Sequence, residues 1–385
     1  MQERLHDGRI LVLPHPVRID AVTGEPADTA LFEHWGILTE LRPHFIDATT
    51  PTEAIINHGP QMQQISLGHL AILGGQNMGS FMLTMNRARL RAHGDPILEV
   101  TAPLQALLAE TDLQEGLPVC FFRNPDLTMV YIALARPSPL RIPHRLSGLH
   151  ECEGAYIGMY DLPPHHPMLT TIGRYRALRL DPGQPTRAIE IVLTGSPVGK
   201  KDALDDASQD LLLLVQNEHE DLASVLERHI AFYNTPAAYS QPGMAPLDPH
   251  EAGMMKPVIY ELAKVLLYLN LADAERTPQL ERTRLERRLR MGGKPLSSKR
   301  RERLALVYDR TLIGPLAIPD AAPVAAGENA ERTVRPHWRR GHFKRIRYGE
   351  GHSQSRIDWI RPTLVNAAEA FKAATAGPVA SPPEG

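Results

Sequence analysis

The hydrophobic and polar positions divide the chain into stretches of unlike character. Arg9–Pro14 is a short apolar run that predicts a strand, and Ser80–Ala92 has helical spacing with basic residues at Arg87, Arg89 and Arg91. Between them Ile65–Leu73 runs into Gly74-Gly75, with Gly79 close behind. Neither G-K-[ST] nor G-x-G-x-x-G spacing occurs there, so these glycines read as turn and packing residues. From Leu117 to about Thr194 short apolar runs recur: Leu117–Arg123, Thr128–Ala135, Gly154–Leu162, Tyr175–Leu180 and Ala188–Leu193. Asn124-Pro125-Asp126 and Pro182-Gly183-Gln184-Pro185 supply turn chemistry, and the segment predicts a mostly antiparallel sheet. Asp205–Tyr233 is predicted helical, because Leu211, Leu214, Val215, Leu222, Val225, Leu226 and Ile230 recur at helical spacing. Pro257–Leu271 is long for a strand and too short to span a bilayer, which predicts a buried core helix. The expected fold is therefore α+β, a mostly antiparallel sheet with packed helices over residues 1–275.

Beyond the body the pattern turns basic. Glu281–Arg290 and Ser298–Arg310 predict a basic helical segment at 276–313. An Ala/Pro/Gly-rich linker at 314–331, a basic β-hairpin module at 332–366 and a disordered tail at 367–385 complete the expected organisation. The formal net charge of −2 conceals this division. Residues 276–361 hold 21 Lys/Arg against 9 Asp/Glu, a balance of +12, and the remainder stands at −14. Such asymmetry predicts an anionic partner for the basic segment, the alternative being a solvated arginine-rich surface. The two cysteines lack C-x-x-C spacing, which excludes a disulfide framework; they read as buried small hydrophobes in a reducing compartment. Met1–Arg9 has no apolar core of a secretory signal, and no run reaches about 18 apolar residues. A cytoplasmic protein with no membrane partner is expected.

The densest chemistry lies in the hairpin. Arg335-Pro336-His337-Trp338-Arg339-Arg340-Gly341-His342-Phe343 leads into Lys344-Arg345-Ile346-Arg347-Tyr348, a turn follows at Gly349-Glu350-Gly351, and Arg356 to Pro362 resumes the extended pattern. Alternation predicts that Trp338, Arg340, His342 and Lys344 share one face. Guanidiniums bind phosphate bidentately and flat rings offer stacking platforms, so basic residues among aromatics suit an RNA surface. The candidate RNA-binding residues are Arg335, His337, Trp338, Arg339, Arg340, His342, Lys344, Arg345, Arg347, Tyr348, Arg356 and Arg361. Trp359 reads as core because Ile357 shares its face, while Trp338 reads equally as core or platform. A metal-independent ribonuclease could use His337 and His342 as general acid–base groups. No metal or other cofactor is expected, since H-E-x-x-H and paired C-x-x-C are absent. His150-Glu151-Cys152-Glu153 and Pro164-His165-His166-Pro167 read as loop clusters without ligand spacing, and no G-x-S-x-G elbow occurs. A phage structural or assembly protein, using the hairpin as an oligomer contact, is a further alternative.

The same hairpin resembles a known family. Arg335-Pro336-His337, Arg339-Arg340-Gly341-His342 before an aromatic residue, Gly349-x-Gly351, Arg356, Trp359, Pro362 and Val365-Asn366 are similar to the C-terminal signature of a type V anti-CRISPR family. Its members suppress production of the type V effector nuclease, and its relatives are spread over phages and plasmids. Upstream, Gly154–Asp161 and Val258–Ala272 are similar in order and character. The resemblance implies an inhibitor in the host bacterial cell that acts on biogenesis, at RNA, ribosome or nascent polypeptide. Where the family has aromatic residues in the first strand, this chain has Lys344, Arg345 and Arg347.

Overall fold

Continuous apolar runs in the middle of the chain become strands because one sheet buries them on both faces. The computed structural model describes residues 2–24, 51–52, 78–113, 116–124, 127–144, 148–170, 174–233, 235, 249–290, 297–318 and 337–365. The glycine-flanked stretch at 65–75, most of the linker, Arg335 and the tail lie outside the described residues. The strands of the body are β1 (Ile97–Val100), β2 (Thr111–Asp112), β3 (Met129–Ala133), β4 (Arg141–His144), β5 (Gly148–Leu162), β6 (Thr186–Pro197), β7 (Ala207–Val215), β8 (Arg276–Leu280) and β9 (Asp309–Ile313). All but β2 form an eight-stranded sheet in the order β7-β6-β5-β3-β1-β9-β8, with β4 also on β5. Strand β1 runs parallel to both β3 and β9, and the other pairings are antiparallel. The α+β class and the antiparallel majority are as expected.

Helices cover both faces. On one side α1 (His15–Thr23) and α2 (Met78–Ala92) set Val17, Ala21, Leu83 and Leu90 on Ile97, Met129, Tyr131 and Tyr156. On the other, α3 (Ala102–Ala109), α4 (Leu222–Tyr233) and α5 (Pro249–Leu269) pack on Val130, Ile132, Ile157 and Ile189. Alternate residues of β3 therefore serve two cores. Gly154 sits at a bulge in the β5–β6 pairing, and a Cβ there would lie 2.1 Å from the Ile132 carbonyl oxygen of neighbouring β3. Only glycine permits that approach. Cys152 is buried, its thiol pushed up to about 12 by burial, and Cys120 is half-buried; neither is in a disulfide.

Several expected elements differ. Arg9–Pro14 is not a strand: Gly8–Leu11 is a single helical turn, started by the Asp7 carboxylate accepting from the Arg9 N–H at 2.9 Å. Leu117–Arg123 is not a strand either. After Pro118, Val119–Phe122 form a 3-10 turn whose first N–H groups donate to the Glu220 and Glu218 carbonyls. Tyr175–Leu180 is replaced by a helical turn at Arg174–Ala177 and a following turn at Leu178 and Arg179. The expected helix over Asp205–Tyr233 divides: Ala207–Val215 is strand β7, and Asp221 caps α4 by accepting from the Ser224 N–H at 2.9 Å. An unbroken run such as Leu211–Val215 fits a doubly buried strand as well as a buried helix. The core helix, expected at Pro257–Leu271, is α5.

The sheet runs past residue 275, where the body was expected to end. Strand β9 pairs with β1 and β8 pairs with β9, so α6 (Glu281–Arg290) and α7 (Ser298–Ala305) are inserted between two strands of the sheet. At its far side a buried ionic cluster fixes α1. The Arg18 guanidinium donates to Glu153 at 2.6 Å and Asp206 at 2.7 Å, with no exposed area of its own. Burial draws its pKa down, but Asp206 and Glu153 outweigh that and raise it above the usual arginine value. Lys200 also pairs with Asp206, and Arg136 reaches Glu153 at 3.1 Å. No helix among the described residues is long and apolar enough to cross a membrane.

Candidate nucleic-acid interface

The C-terminal segment folds as β10 (His337–Arg339), β11 (Gly341–Tyr348), β12 (Gln354–Ile360) and β13 (Thr363–Val365). Strands β11 and β12 pair antiparallel from His342↔Ile360 to Tyr348↔Gln354. Their turn needs the positive φ of Gly349 (80°) and Gly351 (62°), as the glycine pattern predicts. The inner face is apolar: Phe343 stacks on its cross-strand partner Trp359, with ring centroids 5.8 Å apart. Trp359 meets Tyr268 of α5 edge-on at 5.6 Å, and its Nε1–H donates to the Thr111 hydroxyl at 3.2 Å. Lys264 of α5 donates to the Thr111 carbonyl at 3.2 Å, and β2 pairs in parallel with β11. The ribbon is thus docked on the body, and Trp359 is core, as its shared face with Ile357 predicts.

The outer face of β11 carries His342, Lys344, Ile346 and Tyr348, with Arg356 opposite Ile346. The expected alignment of Arg340 with His342 and Lys344 does not hold. Strand β10 pairs with β13 in a separate two-stranded sheet, so the pleat is broken at Arg340. Arg340 instead meets Asp112 at 2.8 Å, and Arg361 meets Asp273 at 3.4 Å while lying over the Trp359 ring. Arg345 is half-buried opposite Ile357, and its Nε has no hydrogen-bond partner among the described residues. Arg339, Lys344, Arg347 and Arg356 are exposed. Tyr348 is half exposed, with the Arg356 guanidinium 6.0 Å from its ring centre. The side chains of His337 and Trp338 lie outside the described residues.

A second cationic surface was visible in the sequence only as density. Helices α6 and α7 pack against each other; Leu285 is buried beneath them, and the Thr283 N–H donates to Asp309 at 3.1 Å. Arg284, Arg287, Arg288, Lys299, Arg300, Arg301 and Arg303 are exposed, and among the described residues none meets a carboxylate within ion-pair distance. By contrast Arg282 pairs with Glu286, and Arg310 with Glu99 and Glu281. Arg284/Arg288 and Lys299/Arg303 stand four residues apart on their helices, a spacing at which like charges repel. Helical spacing of arginines was the available signal for naming them singly.

Fold and surfaces together define a mixed α/β protein with an inserted pair of cationic helices and a docked basic ribbon. The model of the AcrVA2-like family, the anti-CRISPR type V subtype A2 family, matches residues 98–367, from β1 to just past β13, and the chain belongs to that family. Among solved structures, a crystal structure of AcrVA2 is similar, with 15% identity over 88% of this chain and 97% of that chain and a TM-score of 0.43. No curated protein matches significantly.

Proposed function

We propose that this anti-CRISPR family member acts in the host cytoplasm by gripping RNA, on the message or the ribosome, through helices α6 and α7 and the exposed ribbon cations, lowering production of a defence nuclease. The carrying observation is the set of seven exposed arm cations without a carboxylate partner among the described residues. Phosphates supply the missing counter-charge, and each contact releases condensed counterions. Arg339, Lys344, Arg347 and Arg356 form a second exposed set of cations on the ribbon, and Tyr348 is the ring available for stacking among them. In the same reading the body selects the nascent polypeptide while the cations hold the translating message.

The test is anisotropy of a labelled single-stranded RNA titrated with the full chain at several KCl concentrations. Tight binding that weakens steeply with salt is expected. Replacing Arg287, Arg288, Arg300 and Arg301 with Gln should reduce the log–log salt slope by roughly 3, at about 0.7 per phosphate contact on single strands. Absence of RNA binding, or an unchanged slope in the fourfold variant, overturns the reading.

A further inference from the structure

A cluster unconnected with the cationic surfaces lies at one end of the sheet. His144 ends β4, His150 lies in β5, and Asp205 precedes β7; each offers one ligand atom, and the three atoms lie within 4.8 Å of one another. The register explains how the two histidines meet. Ile142 pairs with His150 and His144 with Gly148, so both imidazoles stand diagonally on one face of the β4–β5 hairpin, with ring centroids 4.9 Å apart. His150 is fully buried, and its Nδ1 lies 3.4 Å from the Gly195 carbonyl oxygen. A backbone carbonyl near one ring nitrogen is a usual device for orienting a ligand histidine. Asp205 is exposed. His150 was expected in a loop cluster without ligand spacing; it is instead part of a long strand, and its partners come from across the hairpin and from the β6–β7 connection.

We propose that His144, His150 and Asp205 form a binding site for a divalent transition-metal ion of the zinc class. Two imidazoles and one carboxylate match the ligand preference of such ions and not that of magnesium or calcium, which take oxygen donors. Three protein ligands leave a coordination position for water. The ion would fasten the end of the β4–β5 hairpin to the β6–β7 connection, one residue from Asp206 in the ionic cluster that holds α1. This site stands independently of the RNA reading.

The full chain, stripped of metal by dialysis against chelator, is titrated with Co2+ and followed by visible absorption. Binding of one equivalent, displaced by Zn2+ and not by Mg2+, is expected. Asp205→Asn and His144→Gln, at an exposed and a half-buried position, should each weaken binding by at least about tenfold. Their metal-free melting curves report whether they fold. If a variant fails to fold, the wild-type melting temperature decides: Zn2+ at one equivalent should raise it and Mg2+ should not. No stoichiometric Co2+ site, equal affinity in both folded variants, or no zinc-specific rise in melting temperature would each sink the proposal; the first two would leave a His/His/Asp cluster that holds no ion.

Discussion

The arginines beneath the sheet and those on the inserted helices show opposite treatments of the same side chain. Arg18 and Arg87 are buried and face carboxylates: Arg18 meets Glu153 and Asp206, and Arg87 meets Asp20 and Asp95. Arg89, also buried, reaches the Tyr160 hydroxyl at 2.9 Å and Glu190 at 3.5 Å. The seven described arm cations between Arg284 and Arg303 stand in solvent, crowded among their own kind. A charge in a low-dielectric interior must be answered within the fold, because desolvation of an unpaired ion costs several kcal/mol. A surface charge need not be answered, and like charges one helical turn apart cost a few tenths of a kcal/mol each. The buried arginines are therefore architecture, whereas in the proposed function the arm cations are contacts for an external polyanion.

Removing one partner from the buried cluster should have the largest effect. Glu153→Gln keeps the shape but strips Arg18 and Arg136 of a carboxylate, and a loss of about 3–5 kcal/mol is expected from breaking a buried pair. Denaturant midpoints measure it. Arg287→Gln with Arg288→Gln should leave the midpoint unchanged or raise it slightly. Equal losses in both regions would erase the distinction.

Acid should sharpen the same contrast. Burial pulls the His15 pKa down to about 3, overcoming the Asp206 carboxylate 3.7 Å away, which Arg18 and Lys200 already neutralise. The ring is therefore neutral in the fold, its Nδ1 2.9 Å from the Tyr156 hydroxyl. Unfolded histidine titrates near ~6.5, so the unfolded chain binds the extra proton first. His15's contribution is fully present above that value and is lost as pH falls toward about 3, a few kcal/mol in all. Asp206 is itself drawn below its ordinary value, by Arg18 foremost among its cationic neighbours against the cost of burial, and it acts in the same direction further down the pH scale. Unfolding midpoints at pH 7, 5 and 4 should decline, and His15→Gln should flatten the upper part of the decline. A wild-type profile flat between pH 7 and 4 would contradict the neutral buried ring.

Sequence patterning revealed the ribbon, its glycine turn and the core helix, since each depends on neighbours close in the chain. Trp359 was placed in the core from Ile357 alone. What stayed hidden depends on partners far away. Strand β7 could not be told from helix, because Leu211–Val215 is apolar at every position. Arg18 carries no local sign that Glu153 and Asp206 will bury it, and His150 none that His144 and Asp205 will meet it. Arg340 belongs with these, as its carboxylate lies 228 positions away.

Within the ribbon the exposed and the answered cations should separate by a smaller margin. Lys344→Gln, Arg347→Gln and Arg356→Gln together should lower the RNA salt slope by roughly 2, less than the arm variant does. A slope unchanged by this triple variant would confine the RNA surface to the arm.

Arg340 should show the smallest effect of all. It sits in the most arginine-dense part of the family signature, which by sequence makes it a leading RNA ligand. In the fold its guanidinium already meets Asp112, and both side chains are more than half exposed. An exposed pair of this kind contributes about 1 kcal/mol or less, because water and salt screen it. To bind a phosphate Arg340 must first leave Asp112, so its net gain is smaller than that of a neighbour such as Arg339, which meets no carboxylate among the described residues. Arg340→Gln should therefore leave RNA affinity within about twofold and stability within about 1 kcal/mol. Asp112→Asn supplies the complement: it frees Arg340, and RNA binding should strengthen slightly with a steeper salt slope. If Arg340→Gln instead abolishes RNA binding while Asp112→Asn changes nothing, the pairing seen in the fold does not govern which cations are available, and the contrast between answered and unanswered arginines fails at the surface.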